Sequence, residues 1–224
     1  MNDHLEHDLK HEHSITEELM CHTPYAIFSV AFGLTILSFM GFFSYGAFEL
    51  STIQKGTHEL FHTFHFMHIV FAATGTLITF FRFSKNLIKG LVLAVVSTSV
   101  FCSLSDIVFP YFGGLLLGLP MQFHFCWYSE LHNILPFLIV GLINGIIMSS
   151  HHSSRQSLYS IFSHFIHISI SSFASLFYLA SQGYADWGSN IGLIFLLLIV
   201  AVVVPCTFAD VIVPMAFARA DKKK

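Results

Sequence analysis

Cys102-Ser103-Leu104-Ser105-Asp106-Ile107-Val108-Phe109-Pro110 recurs 104 residues later as Cys206-Thr207-Phe208-Ala209-Asp210-Val211-Ile212-Val213-Pro214. Both copies read Cys-x3-Asp-(Ile or Val)-x2-Pro, and both lie inside long apolar runs. An ionisable side chain at membrane depth is costly, so two acids at matched positions demand a reason. Further echoes appear in the same order along the chain. His65-Phe66-Met67-His68-Ile69 is answered by His164-Phe165-Ile166-His167-Ile168. Glu18-Leu19, Pro24 and Ile27 are answered more faintly by Glu130-Leu131, Pro136 and Ile139. The ordered echoes read as two related halves.

Composition sets the solvent. Of 224 residues, 54% are hydrophobic and only 10% charged, and Phe alone supplies 26. Soluble domains carry about 25% charged residues, so this chain lacks the polar surface for water. A cytosolic enzyme, a nucleic-acid binder and a disordered chain are excluded. Four Cys are too few for a disulfide scaffold of this length. What remains is a polytopic membrane protein.

Six stretches have the ~20 apolar residues that a spanning helix needs. They cover roughly 24–48, 60–82, 87–114, 131–149, 159–182 and 190–217. Continuous apolar runs, rather than alternating ten-residue segments, disfavour a barrel. The acidic, His-rich residues 1–23 lack the basic start and apolar core of a secretory signal and read as a tail. With that tail cytoplasmic, the same side receives Lys10, Arg82, Lys85, Lys89, Arg155, Arg219, Lys222, Lys223 and Lys224, leaving Lys55 alone outside. This is a positive-inside bias, and it favours six spans over seven. Trp127 and Trp187 fall in outer connections beside Tyr128 and Tyr184, as an interfacial aromatic belt requires.

The expected fold is an all-α integral membrane protein of six transmembrane helices, built as two inverted three-helix repeats with both termini cytoplasmic. The repeats cover 24–118 and 130–218 around an outer connection at 119–129, and a basic segment at 219–224 ends the chain. An odd number of spans per half forces opposite orientations, which is a common plan of secondary transporters. The absence of a cleavable signal fits a bacterial inner membrane.

The repeated residues carry a definite chemistry. Cys102 and Asp106 are four apart and share a helix face, as do Cys206 and Asp210. Pro110 and Pro214 each lack the N–H that would bond the carbonyl four residues back, so each helix is expected to kink and bare the backbone oxygen of its Asp. His65 and His68 share a face, as do His164 and His167. Two imidazoles, a thiol and a carboxylate per half suit zinc, or iron, cobalt, nickel or manganese, better than magnesium or calcium. The metal ligands expected are His65, His68, Cys102, Asp106, His164, His167, Cys206 and Asp210. Depth along the helices allows one shared site at the midplane or two stations.

Flanking residues extend the pattern. His58, His62 and His65 fall within about 60° on a helix at roughly 100° per residue, with Glu59 beside them, and form a stripe leading inward. His151 and His152 stand at the opposite side, near the His-rich tail. These are expected accessory residues. Gly141 and Gly145 read as a helix-packing pair, and Cys21 and Cys126 have no counterpart in the repeat.

The function that this pattern points to is a carrier of divalent transition-metal ions, with the bilayer and the metal as its partners and protons as a coupling ion. It is compatible with a homo-oligomer. An intramembrane metalloenzyme of zinc-hydrolase or di-iron type, a single-haem redox protein between spans 2 and 5, and a His- and Asp-lined ion channel use the same residues. His58-x3-His62 and His151-His152 lie on opposite sides in this topology, which argues against a di-iron centre.

Overall fold

A computed structural model describes the backbone of residues 15–44, 49–150, 156–182 and 187–222, and the side chains of 19–42, 49–150, 163–182 and 189–220. Of the described residues 92% are helical and none lies in a strand. We label the helices α1 (Ile15–Ser44), α2 (Leu50–Phe83), α3 (Leu87–Ser103, continuing through Leu104–Val108 into Phe109–Leu116), α4 (Cys126–Ser129), α5 (Leu131–Ser150), α6 (Gln156–Ser181) and α7 (Trp187–Thr207, continuing through Phe208–Ile212 into Val213–Lys222).

Five helical segments among the described residues are long and apolar enough to cross a membrane: Leu19–Phe42, Leu50–Phe83, Leu87–Leu116, Leu131–Ser150 and Ser189–Ala220. They coincide with five of the six expected spans. The second starts ten residues early, because the His58–His62 stripe rides on a helical extension of it. The sixth long helix, α6, has the length but is not one of the five. Its His164, His167, Ser163, Ser169, Ser171, Ser172 and Ser175 dilute its hydropathy.

α6 is polar because it is interior. Ser171, Ser172, Ser175 and His167 are all buried. It packs on α2, α1 and α7, while α2 packs on α5, α6 and α3. α2 and α6 thus form the axis of the bundle. Serine hydroxyls also bond back to the preceding turn: Ser172 Oγ donates to the Ile168 carbonyl at 2.8 Å, and Ser169 Oγ, which also lies 2.7 Å from Ser29 Oγ of α1, donates to that of Phe165 at 2.8 Å. Such bonds satisfy hydroxyls where water is scarce. The outward faces are the reverse. Phe28, Phe32 and Phe39 on α1, Val92, Val96 and Val100 on α3, Ile139, Val140, Ile143 and Ile147 on α5, and Leu193, Leu196 and Val200 on α7 are exposed. A continuous apolar surface of this kind suits lipid and not water.

Two close approaches fix the helix spacing. A Cβ at Gly141 would lie 2.7 Å from the Val70 carbonyl oxygen, and one at Gly145 would lie 2.8 Å from Leu77 Cβ. α5 therefore presses on α2 through its glycine face, as small-xxx-small pairs do in membranes. Thr74 Oγ1 donates to the Gly141 carbonyl at 3.0 Å across the same seam. Gly141→Leu should push α5 away and destabilise the protein by about 1–3 kcal/mol, the usual cost of overpacking. A lowered midpoint of thermal unfolding in detergent checks this, and an unchanged midpoint would show that the seam is not needed.

Candidate metal centre

Both copies of the duplicated motif adopt the same local irregularity. Each breaks its helix with one five-residue π turn, Leu104–Val108 in α3 and Phe208–Ile212 in α7. Phe109 N–H bonds the Leu104 carbonyl and Val213 N–H bonds that of Phe208, five residues back instead of four. The proline follows directly. In this wider register its missing N–H orphans the carbonyl five residues back, which belongs to Ser105 in one copy and Ala209 in the other. Both carbonyls receive hydroxyls from other helices. Ser175 Oγ donates to the Ser105 oxygen at 2.9 Å, and Thr76 Oγ1 donates to the Ala209 oxygen at 2.9 Å, with Ser97 Oγ farther off at 3.5 Å. The carbonyl that sequence spacing assigned to Asp is thus displaced by one residue, and a hydroxyl caps it.

The π turn carries each Asp inward. Asp106 is fully buried and Asp210 is 2% exposed. Asp106 Oδ2 lies 2.8 Å from His65 Nδ1 and 2.7 Å from His68 Nδ1. Its Oδ1 accepts from Ser105 Oγ at 2.6 Å and Ser171 Oγ at 3.0 Å. Four donors around one carboxylate are what an ionised Asp needs away from water. Asp210 has fewer. Its Oδ2 lies 2.6 Å from His167 Nδ1 and 3.6 Å from His164 Nδ1. Its Oδ1 has no hydrogen-bond partner among the described residues. A Cβ at Gly75 would sit 2.8 Å from that oxygen, so the glycine makes room for the carboxylate.

Helices α2 and α6 meet at two imidazoles. His68 Nε2 and His167 Nε2 are 2.7 Å apart. Cys206 Sγ is 3.7 Å from His68 Nε2 and 3.5 Å from Ser171 Oγ. The ligand atoms of His68, His167 and Cys206 all lie within 4.8 Å of one another, and all three residues are buried. Each imidazole gives its Nδ1–H to an Asp, which fixes the tautomer and turns the Nε2 lone pair toward the partner ring. Carboxylate-held imidazoles are the usual supports of metal sites.

Of the expected ligands, His68, His167 and Cys206 converge directly, while Asp106 and Asp210 grip the far nitrogens. His65 joins them through Asp106. Cys102 is buried in the core but is not one of the converging trio. His164 groups instead with Asp210 and His22. His22, buried on α1, packs edge-on against His164 at 5.2 Å between ring centroids. In the sequence His22 stands within the His-rich first 23 residues and outside both repeated motifs, so nothing there marks it.

At the other end of α2, His62 Nε2 lies 3.2 Å from His124 Nε2, and His58 packs edge-on against His62 at 4.4 Å between centroids. The ligand atoms of His62, His124 and Cys126 form another group within 4.8 Å. Burial first, then the neighbouring His58, holds His124 below the ordinary imidazole range. Burial pushes the Cys126 thiol up to about 12. His124 and Cys126 sit in the connection between α3 and α5, where no helical period reveals orientation. Glu59 lines a cavity at this mouth with His58 and His62. His151 and His152, like residues 1–14, lie outside the described residues. Comparison with known protein families, with characterised proteins and with solved structures finds no match to this chain.

The capped carbonyls yield a direct expectation. Ser175→Ala and Thr76→Val should each strand a buried carbonyl and cost about 1–3 kcal/mol. Equilibrium unfolding in mixed micelles measures this. Wild-type stability in both variants would mean that the hydroxyls do not support the π turns.

Proposed function

We propose that this chain is a membrane carrier of divalent transition-metal ions, zinc foremost, which exchanges the metal for protons. One observation carries the reading: two carboxylate-held imidazoles from the two halves point their Nε2 atoms at each other beside a buried thiol. Tetrahedral zinc with bonds of about 2.0–2.1 Å to nitrogen and about 2.3 Å to sulfur sets N···N near 3.4 Å and N···S near 3.6 Å. The observed Cys206–His68 distance of 3.7 Å fits. The His68–His167 distance of 2.7 Å is shorter than a metal needs, by about 0.7 Å on these bond lengths.

The short distance has its own meaning. Both Nδ1 atoms face carboxylates, so two bare Nε2 lone pairs at this range would repel. A proton between them relieves the repulsion, and a metal ion does the same after a small separation. The two occupants exclude each other. That exclusion is the chemical basis for exchange of metal against protons. A porphyrin needs a gap between opposed imidazoles, and these nitrogens touch.

Six spans, two inverted halves and cytoplasmic termini complete the reading, with the plasma or bacterial inner membrane as its location. The paired π turns and their matched hydroxyl caps support a duplicated origin. In this arrangement the His58 end of α2 is outer and the His164 end of α6 is inner. The π turns supply the broken helices on which such carriers place their sites. Asp106 and Asp210 act on the metal chiefly by holding His68 and His167.

Purified protein in proteoliposomes with a zinc-sensitive dye inside should show zinc uptake and matching proton release. Asp106→Asn should weaken zinc binding by about 10–100-fold, the usual effect of removing a supporting partner from a ligand. Flux should fall accordingly, and binding should weaken as pH falls because protons compete for the nitrogens. Undiminished flux in Asp106→Asn would overturn the assignment. Firm binding without translocation would favour an intramembrane metalloenzyme, and currents without metal would favour a channel.

A further inference from the structure

The group at the His58 end of α2 owes nothing to the duplicated motif. His62 belongs to α2, whereas His124 and Cys126 come from the connection that follows α3. That connection is built rather than loose. Gly118 adopts φ 75°, the left-handed conformation that closes a helix, and Leu119 N–H returns to the Gly114 carbonyl at 3.0 Å while Gly118 N–H returns to that of Leu115 at 3.0 Å. Beyond this cap the segment is pinned to α6. Gln122 N–H donates to Gln182 Oε1 at 2.9 Å, and Tyr178 Oη donates to the Gln122 carbonyl at 2.9 Å. Two residues later His124 is set against His62, and Cys126, completely buried, opens the short helix α4.

The polar neighbours are few. His124 Nε2 faces His62 Nε2 at 3.2 Å and Ser129 Oγ at 3.3 Å. The Cys126 thiol shares the 4.8 Å group with both imidazoles. Two cavities flank the cluster. One, of about 410 Å³, is lined by His58, Glu59, His62 and Glu130 among others. The other, of about 570 Å³, reaches His58, His124 and Lys55. An ion thus has a way in from either side, and His58 borders both routes.

We infer that His62, His124 and Cys126 form a second transition-metal site, a capture station at the mouth of the bundle, separate from the His68–His167–Cys206 centre. Two imidazoles and a thiolate, with a fourth position open to water or His58, match the donor set and coordination number of zinc or cobalt(II). The inference rests on the carrier reading only for the word capture, because binding at this cluster can be measured without transport. His62 and His68 are six residues apart on one helix, about 9 Å at 1.5 Å per residue, so a captured ion is within a short step of the centre.

Cobalt(II) is the probe. The chelator-stripped full-length protein in detergent is titrated while the visible bands of tetrahedral cobalt and the near-ultraviolet thiolate-to-cobalt band are followed. The wild type should show two thiolate-bound equivalents. Cys206→Ser should lose one of them, and Cys126→Ser the other. His124→Asn, a milder change in the connection, should lose the same equivalent as Cys126→Ser while keeping the central one, which guards against misfolding of the Cys126 variant. Loss of the whole thiolate band in Cys206→Ser, or an unchanged titration in both Cys126→Ser and His124→Asn, would overturn the second site and leave the carrier reading standing. A titration altered by His124→Asn but untouched by Cys206→Ser would support the second site and sink the central one.

Discussion

The carboxylate of Asp106 is the group on which the interior depends. It is fully buried, and a lone charge there would cost several kcal/mol. Four donors from three helices make it tolerable: His65 and His68 of α2, Ser171 of α6, and Ser105 beside it on α3. Each donor is itself positioned by burial, so the charge and the packing specify one another. Removing the charge releases two imidazoles and two hydroxyls into an apolar interior. Removing any donor exposes the charge. Such a network fixes one arrangement of α2, α3 and α6 more firmly than apolar contact could, because apolar contact tolerates sliding.

Proline sets the geometry that lets the carboxylate reach its donors. A straight helix would present Asp106 and Asp210 at their ordinary angular positions. The π turn inserts one extra residue and swings the following segment around the axis. The same wide register transfers the orphaned acceptor from the Asp to the residue before it. Interior serine and threonine on α2 and α6 are spaced to meet those acceptors. This accounts for the polar character of α6 and for its weaker resemblance to a membrane span. Its buried Ser171 and Ser175 serve α3 instead of facing lipid.

The helices were legible because membrane spans announce themselves by length and apolar content, and five of the six expected runs reappear as helices of that kind. The duplicated Cys-x3-Asp motif pointed to Asp106, Asp210 and Cys206, and the repeated His-x2-His segments to His68 and His167, because buried ionisable groups at helical spacing have few harmless explanations. Two things were hidden. The one-residue shift of the bare carbonyl depends on choosing a π register over an α register, and proline spacing alone is compatible with either. His22, His124 and Cys126 were also hidden. Each takes its place from tertiary packing: His22 from the docking of α1 on α6 and α7, His124 and Cys126 from a connection pinned by Tyr178 and Gln182.

The likeness of the two motifs ends at the carboxylates. Asp106 is saturated, and its oxygens hold His68 firmly between α2 and α3. Asp210 keeps one oxygen without a hydrogen bond among the described residues, held in the space that Gly75 leaves. It also lies 3.6 Å from His164, which packs against His22. The hydrogen-bond network is therefore sparser on the His167 side than on the His68 side. Asp210, His164 and His22 bring their ligand atoms within 4.8 Å of one another, a further donor set beside the central one. The two imidazoles are thus held unequally, His68 by a carboxylate with four donors and His167 by one with an oxygen that lacks a hydrogen bond among the described residues.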